Sequence, residues 1–94
     1  MKSGAELIAK ERQRQIDEEG WTAVHDDGHS KGELAYAACS YAMPSTTLVD
    51  NFWPFSWKWW KPTGRKRDLV KAGALIAAEI DRLQRIEVLE ASDG

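Results

Sequence analysis

The stretch from Asn51 to Arg67 gathers six aromatic side chains (Phe52, Trp53, Phe55, Trp57, Trp59 and Trp60) with Lys58, Lys61, Arg65, Lys66 and Arg67, and it contains no acid. Aromatic faces stack on nucleobases and neighbouring cations pair with phosphates, a combination that single-strand and nucleotide binders use. Arg65, Lys66 and Arg67 fall at the expected start of the last helix, where positive side chains oppose the helix dipole unless an anion neutralises them. A phosphate would do so, because the free N–H groups of a helix start also suit anions. The competing reading makes the tryptophans core plugs beneath a long loop, with the cations snorkelling beside them. A membrane-interface reading is weaker, since no helical periodicity runs through the tryptophans.

A second constellation is His25-Asp26-Asp27-Gly28-His29. These residue types can ligate a divalent metal. Gly28 predicts a turn, so the two rings need not converge, and an acidic turn ahead of a helix, favoured by the dipole, is the preferred reading. The remaining acids, Asp17, Glu18, Glu19, Glu33, Asp68 and Glu79, do not form a set. Asp68 and Glu79 share a helix flank, yet eleven residues place them about 16 Å apart at 1.5 Å per residue. No catalytic residue, metal ligand or cofactor is therefore assigned.

Three helices must position these groups. Ser3 with Glu6 has capping-box spacing and Gly20 stands at a C-cap position, predicting a helix from Gly4 to Glu19. Only Leu7, Ile8 and Ile16 are strongly apolar there, so it reads as a peripheral helix attached by a narrow stripe. Trp21 to His29 reads as a polar loop. Ser30 and Glu33 repeat the capping pattern and predict a helix from Lys31 to Ala42, closed by Met43-Pro44. Its run Leu34-Ala35-Tyr36-Ala37-Ala38-Cys39 is apolar nearly all round, predicting the central buried helix with Cys39 inside it. Ser45 to Gly64 shows neither helical nor strand periodicity. The last helix is expected from Arg65 to about Glu90, with Leu69, Ala72, Gly73, Ile76, Ile80 and Leu83 on one face. The fold class is thus all-α, a single domain over 1–94, built as a small bundle of about three helices with a long Trp-rich connecting loop.

Composition narrows the function. A net charge of -2 argues against a protein that coats long nucleic acid. One cysteine permits no intramolecular disulfide and no multi-cysteine metal site. No segment approaches the roughly 20 apolar residues of a membrane span, and Met1 to Lys10 lacks a secretory pattern, so a cytoplasmic location is expected. A core this small leaves a homo-oligomer as the expected state.

Taken together, Glu11-Arg12-Gln13-Arg14-Gln15-Ile16, Glu19-Gly20-Trp21-Thr22, His25-Asp26-Asp27, His29, Gly32-Glu33-Leu34-Ala35, Trp59-Trp60-Lys61-Pro62, Arg67 to Ile76 and Ala78-Glu79-Ile80 resemble a family of small phage and prophage proteins. The resemblance covers roughly Leu7 to Leu83 and implies the cytoplasm of a bacterial host. The chain is also similar in size and chemistry to phage sponge proteins, which sequester cyclic nucleotide signals of anti-phage systems. That likeness implies a small nucleotide-like ligand, with Trp57, Trp59 and Trp60 stacking on bases and Lys61, Arg65 and Arg67 holding phosphates. His25 and Asp26 would read base edges or sugar hydroxyls. The second reading is a module that inhibits a host protein through its tryptophan surface. The third is an all-α pyrophosphohydrolase of the MazG-like kind. Its paired acidic motifs are not matched here, since Tyr36 follows Glu33 and Lys71 follows Asp68 at the spacing where an acid is needed. Glu87 and Glu90 have the spacing but lie at a helix end.

Overall fold

The computed structural model describes residues 1–44 and 46–93; Ser45, at the head of the expected loop, and Gly94 lie outside the described residues. Four α-helices and two 3₁₀ turns make up the described chain, with no strand among the described residues.

Helix α1 (Gly4–Glu19) forms as the capping residues require. The Ser3 hydroxyl accepts from the Glu6 N–H at 3.1 Å, and Gly20 closes the helix at φ 73°. What it buries differs from expectation. Leu7, Ile8 and Ile16 are only half-buried, whereas Glu11 and Gln15 are each 2% exposed.

The expected polar loop contains a short helix, α2 (Ala23–Asp27), capped by Thr22, whose hydroxyl accepts from the His25 N–H. This turn persists because it buries Asp26 against Arg12 of α1, 3.0 Å away. Helix α3 (Glu33–Ala42) begins two residues later than the Ser30 pattern predicts. Gly32 stands at its N-cap with φ 83°, a left-handed conformation that suits glycine and breaks the helix there. Glu33 still reaches back, but to the Lys31 N–H at 2.6 Å. The helix stops at Met43, whose ψ of 135° is what a following proline imposes.

The core lies between α3 and α4 (Arg65–Asp93). Leu34, Ala37, Ala38 and Tyr41 of α3 meet Ala72, Leu75 and Ala78 of α4, and Trp21, Trp53, Phe55 and Trp60 pack against the rim of this cluster. Alanines at the seam allow the backbones to approach closely. Helix α3 is not enclosed on all sides, and Cys39, expected inside, is exposed, because α3 packs on α4 along one flank only. Between α1 and α4 the contact is closer still: a Cβ at Gly73 would stand 2.5 Å from Ile8 Cδ1, so only glycine fits this crossing as it is packed.

The expected face of α4 is covered only in part, at Ala72 and Gly73. Val70, Ala74, Leu75, Ala78 and Arg82 are buried with Ala72, whereas Leu69, Ile76, Ile80 and Leu83 are 43–50% exposed. The segment is apolar on almost every side, so periodicity alone could not tell which side meets α1 and α3. No described helix is long and apolar enough to cross a membrane.

Ala38→Leu should lower stability by about 1–3 kcal/mol through overpacking of the α3–α4 seam. Its neighbour substitution Cys39→Leu should stay within about 0.5 kcal/mol, as surface changes do. Urea melts of the two variants check both.

Candidate functional site

A cleft opens between the end of α1 and the tryptophan-rich segment. Its outer part is an aromatic pocket of about 350 Å³. Trp21 and His25 stack in parallel on one wall, with ring planes 5° apart. His29 and Phe55 meet edge to face, and Trp53, Trp59, Leu34, Leu75 and Glu19 complete the lining. Glu19, Trp21, Trp59 and Leu75 also line a smaller recess of about 60 Å³, whose other sides are Glu11, Arg14, Gln15, Tyr41, Lys61 and Lys71. The two volumes therefore share a wall. The larger depression of about 540 Å³ near Arg85 and Leu89 is broad and open, and carries none of these aromatics.

The tryptophan segment is held by its own rings. Trp60 lies 4.7 Å from Tyr41 and 4.9 Å from Trp53, and Trp53 meets Tyr41 and Phe55 edge-on. The Tyr41 hydroxyl accepts from the Lys61 N–H at 3.2 Å, pinning the segment to α3, and burial raises the Tyr41 phenol above its ordinary value. The tryptophans thus divide by burial. Trp53 and Trp60 act as plugs, whereas Trp57 and Trp59 are 52% and 47% exposed. Of these two, Trp59 faces the cleft and carries Lys58 and Lys61 over its ring at 5.4 and 5.6 Å.

The recess has a polar floor. Glu11 is gripped by both arms of Arg14, at 2.8 and 3.0 Å, and by Arg67 from α4. Burial alone would raise its carboxyl, but Arg14, Arg67 and the Gln15 amide outweigh burial and hold it below the ordinary glutamate value. The Gln15 amide nitrogen donates to Glu11 at 3.2 Å. A carboxylate accepts only from the nitrogen side of an amide, so this bond fixes the amide's orientation. Gln15 Oε1 is left buried with no hydrogen-bond partner. Lys71 donates to the Lys61 carbonyl at 2.7 Å, and burial lowers its pKa.

The residues singled out in the sequence are thus partly brought together. His25, Trp59 and Lys61 share the cleft, and Trp60 supports it from behind. Trp57 lines neither volume. Asp26 is wholly buried, its carboxylate shared between Arg12 and the His25 ring, so it orients His25. Arg67 is occupied by Glu11, and Arg65 donates to the Met43 carbonyl at 2.9 Å, so neither points a vacant guanidinium at the cleft. His25 and His29 do converge, 4.9 Å apart edge to face, which the turn at Gly28 left open. Each ring turns its Nδ1 to a carboxylate, His25 to Asp26 and His29 to Glu33. Among the described residues no three His, Cys, Asp or Glu side chains are grouped to hold a metal.

Trp21, Phe55, Gln15, Glu19 and Lys71 join the site without having been expected there. Gln15 and Glu19 share a helix face with Glu11 at i, i+4 spacing, which was the legible signal. No family model, curated protein or solved structure matches this chain.

Glu11→Gln should cost about 1–3 kcal/mol, because it removes the counter-charge shared by Arg14 and Arg67, whose side chains are 33% and 43% exposed and so are partly screened by water. Because the Glu11 pKa is lowered by folding, its contribution is present above the unfolded value. It is lost as pH falls through the lower folded one. Thermal melts of the wild type should therefore decline below the ordinary carboxylate range, and less steeply in Glu11→Gln.

Proposed function

We propose that this chain is a phage protein that binds and sequesters a nucleotide-type immune signal, a cyclic oligonucleotide or a cyclic ADP-ribose-like molecule, and so antagonises bacterial anti-phage defence. It acts in the host cytoplasm as a homo-oligomer, with neither membrane nor long nucleic acid as partner. The observation that carries this reading is the aromatic pocket of about 350 Å³ joined to a polar recess with lysines at its edge. That volume lies within the ordinary range of small-ligand sites, about 300–1,000 Å³. A base entering it meets the Trp21–His25 pair and Trp59, all of which line the pocket. The phosphates then reach Lys61, with Lys58 close by over the same indole. The phosphate role passes from Arg65 and Arg67 to these lysines, because both arginines have partners within the fold.

Gln15 narrows the ligand. A buried amide oxygen without a donor favours a ligand that brings one, and the exocyclic amino group of adenine or cytosine does so. A base with a carbonyl at that place would set two acceptors against each other.

Native mass spectrometry against cyclic di- and trinucleotides, cyclic ADP-ribose isomers and nucleoside triphosphates tests the proposal. An intact cyclic nucleotide should be retained. Trp59→Ala should weaken that retention by about tenfold or more, the scale of one lost base stack. Adenine ligands should be held about tenfold more tightly than their hypoxanthine analogues, and Gln15→Met should erase the difference. No retained nucleotide would sink the proposal; cleavage of a triphosphate would replace it with a hydrolase. Equal retention of adenine and hypoxanthine ligands would remove only the role of Gln15.

A further inference from the structure

The homo-oligomer of the reading above needs a surface, and α4 offers one. Leu69, Ile76, Ile80 and Leu83 are 43–50% exposed and follow one another at steps of seven, four and three, beside the crossing where Ile8 of α1 covers Gly73. That spacing makes the seam of a pair of helices packed at a shallow angle. The stripe runs about 21 Å along the helix, from the 1.5 Å rise per residue. It lies opposite Leu75 and Ala78, which face the core. Helices apolar on both sides are normally covered on both.

The ends of α4 say what covers it. Arg65, Lys66 and Arg67 open the helix with one acid, Asp68, beside them, while Glu87 and Glu90 stand in its last two turns, and no basic residue occupies its last turn. Each set opposes the helix dipole at its own end. An antiparallel copy of the same helix cures both faults at once, by bringing acids to the basic start and cations to the acidic close. Such a surface is complementary to itself, as a two-fold interface requires.

We infer that α4 is the seam of an antiparallel homodimer whose two-fold axis passes near Ile76. In that register Leu69 faces Leu83 of the other copy, seven residues on either side of the axis, and Arg65 faces Glu87, eleven residues on either side, with Lys66 beside it. Arg67 keeps its bond to Glu11, while Arg65 gives one guanidinium nitrogen to the Met43 carbonyl and has the others for the seam. This inference rests on the oligomer and is independent of the ligand.

Sedimentation velocity over a range of concentrations should show a dimer. Ile76→Glu with Ile80→Glu should raise its dissociation constant by about tenfold or more while helical circular dichroism stays unchanged, since neither side chain is in the core. Cysteine cross-linking in a Cys39→Ser background then reads the register. Ile76→Cys should cross-link to itself, and Leu69→Cys only when Leu83→Cys is also present. Self-cross-linking of Leu69→Cys alone would mean parallel helices and would overturn the register. An oligomer that survives the double Glu variant would overturn the seam and leave the oligomer standing. A monomer at every concentration would overturn both, leaving the stripe to a partner of different chemistry.

Discussion

The buried Glu11 carboxylate is the constraint on which the rest of this structure depends. It is placed on α1, receives a bidentate guanidinium from Arg14 on the same helix, and draws Arg67 across from the start of α4. A carboxylate that is 2% exposed cannot remain charged without such partners, so the angle between α1 and α4 is set as much by charge satisfaction as by Ile8 against Gly73. The same solution recurs nearby, where Asp26 of α2 is wholly buried and is held by Arg12. Arg85 of α4 then takes Asp27, at 2.8 Å, on the outer side of that turn. Short elements with little apolar area of their own are thus fixed by ion pairs rather than by packing.

That arrangement bears on the cleft. Ion pairs in a small core seldom add net stability over well-packed aliphatic residues, and their best-attested effect is to specify one arrangement over others. Here the arrangement specified is a polar floor beneath an aromatic pocket. Gln15 is buried because Glu11 holds its amide, and Glu19 stays at the pocket edge because Arg14 holds it at 3.1 Å. A chain selected for stability alone would place leucines at these positions. Local departures from the rules of core composition are expected where a protein does its work.

How much of this was legible in the sequence differed by element, for physical reasons. Helix ends with local signals were read correctly: Ser3, Glu6, Gly20 and Pro44 act within one turn of themselves. The start of α3 was misplaced because Gly32 overrode the Ser30 pattern, and α2 was missed because its stability comes from Arg12, fourteen residues away. The tryptophans could be sorted only by partners distant in sequence. Trp53 and Trp60 turn inward because Tyr41 offers them a ring, and Trp59 stays outward with lysines on its face. The same holds for the cations, whose number was plain but whose engagement with Glu11 and Met43 required the fold. His25, Trp59 and Lys61 converge as a site because the Lys61 N–H is bonded to Tyr41, a contact that no local pattern announces.

The misread face of α4 follows from a mismatch of lengths. A helix of 29 residues is covered by α1, with 16, and α3, with 10. Neither is long or apolar enough to bury all of Leu69, Val70, Leu75, Ile76, Ile80 and Leu83, so the fold must choose between two apolar sides. It turns the smaller residues inward, because Ala72, Ala74 and Ala78 let α3 and α1 come close enough for the Glu11–Arg67 pair to form. Leu69, Ile76, Ile80 and Leu83 are left half-exposed on the outside. The ionic floor of the cleft and the uncovered stripe on the opposite side of α4 are therefore two results of one packing decision.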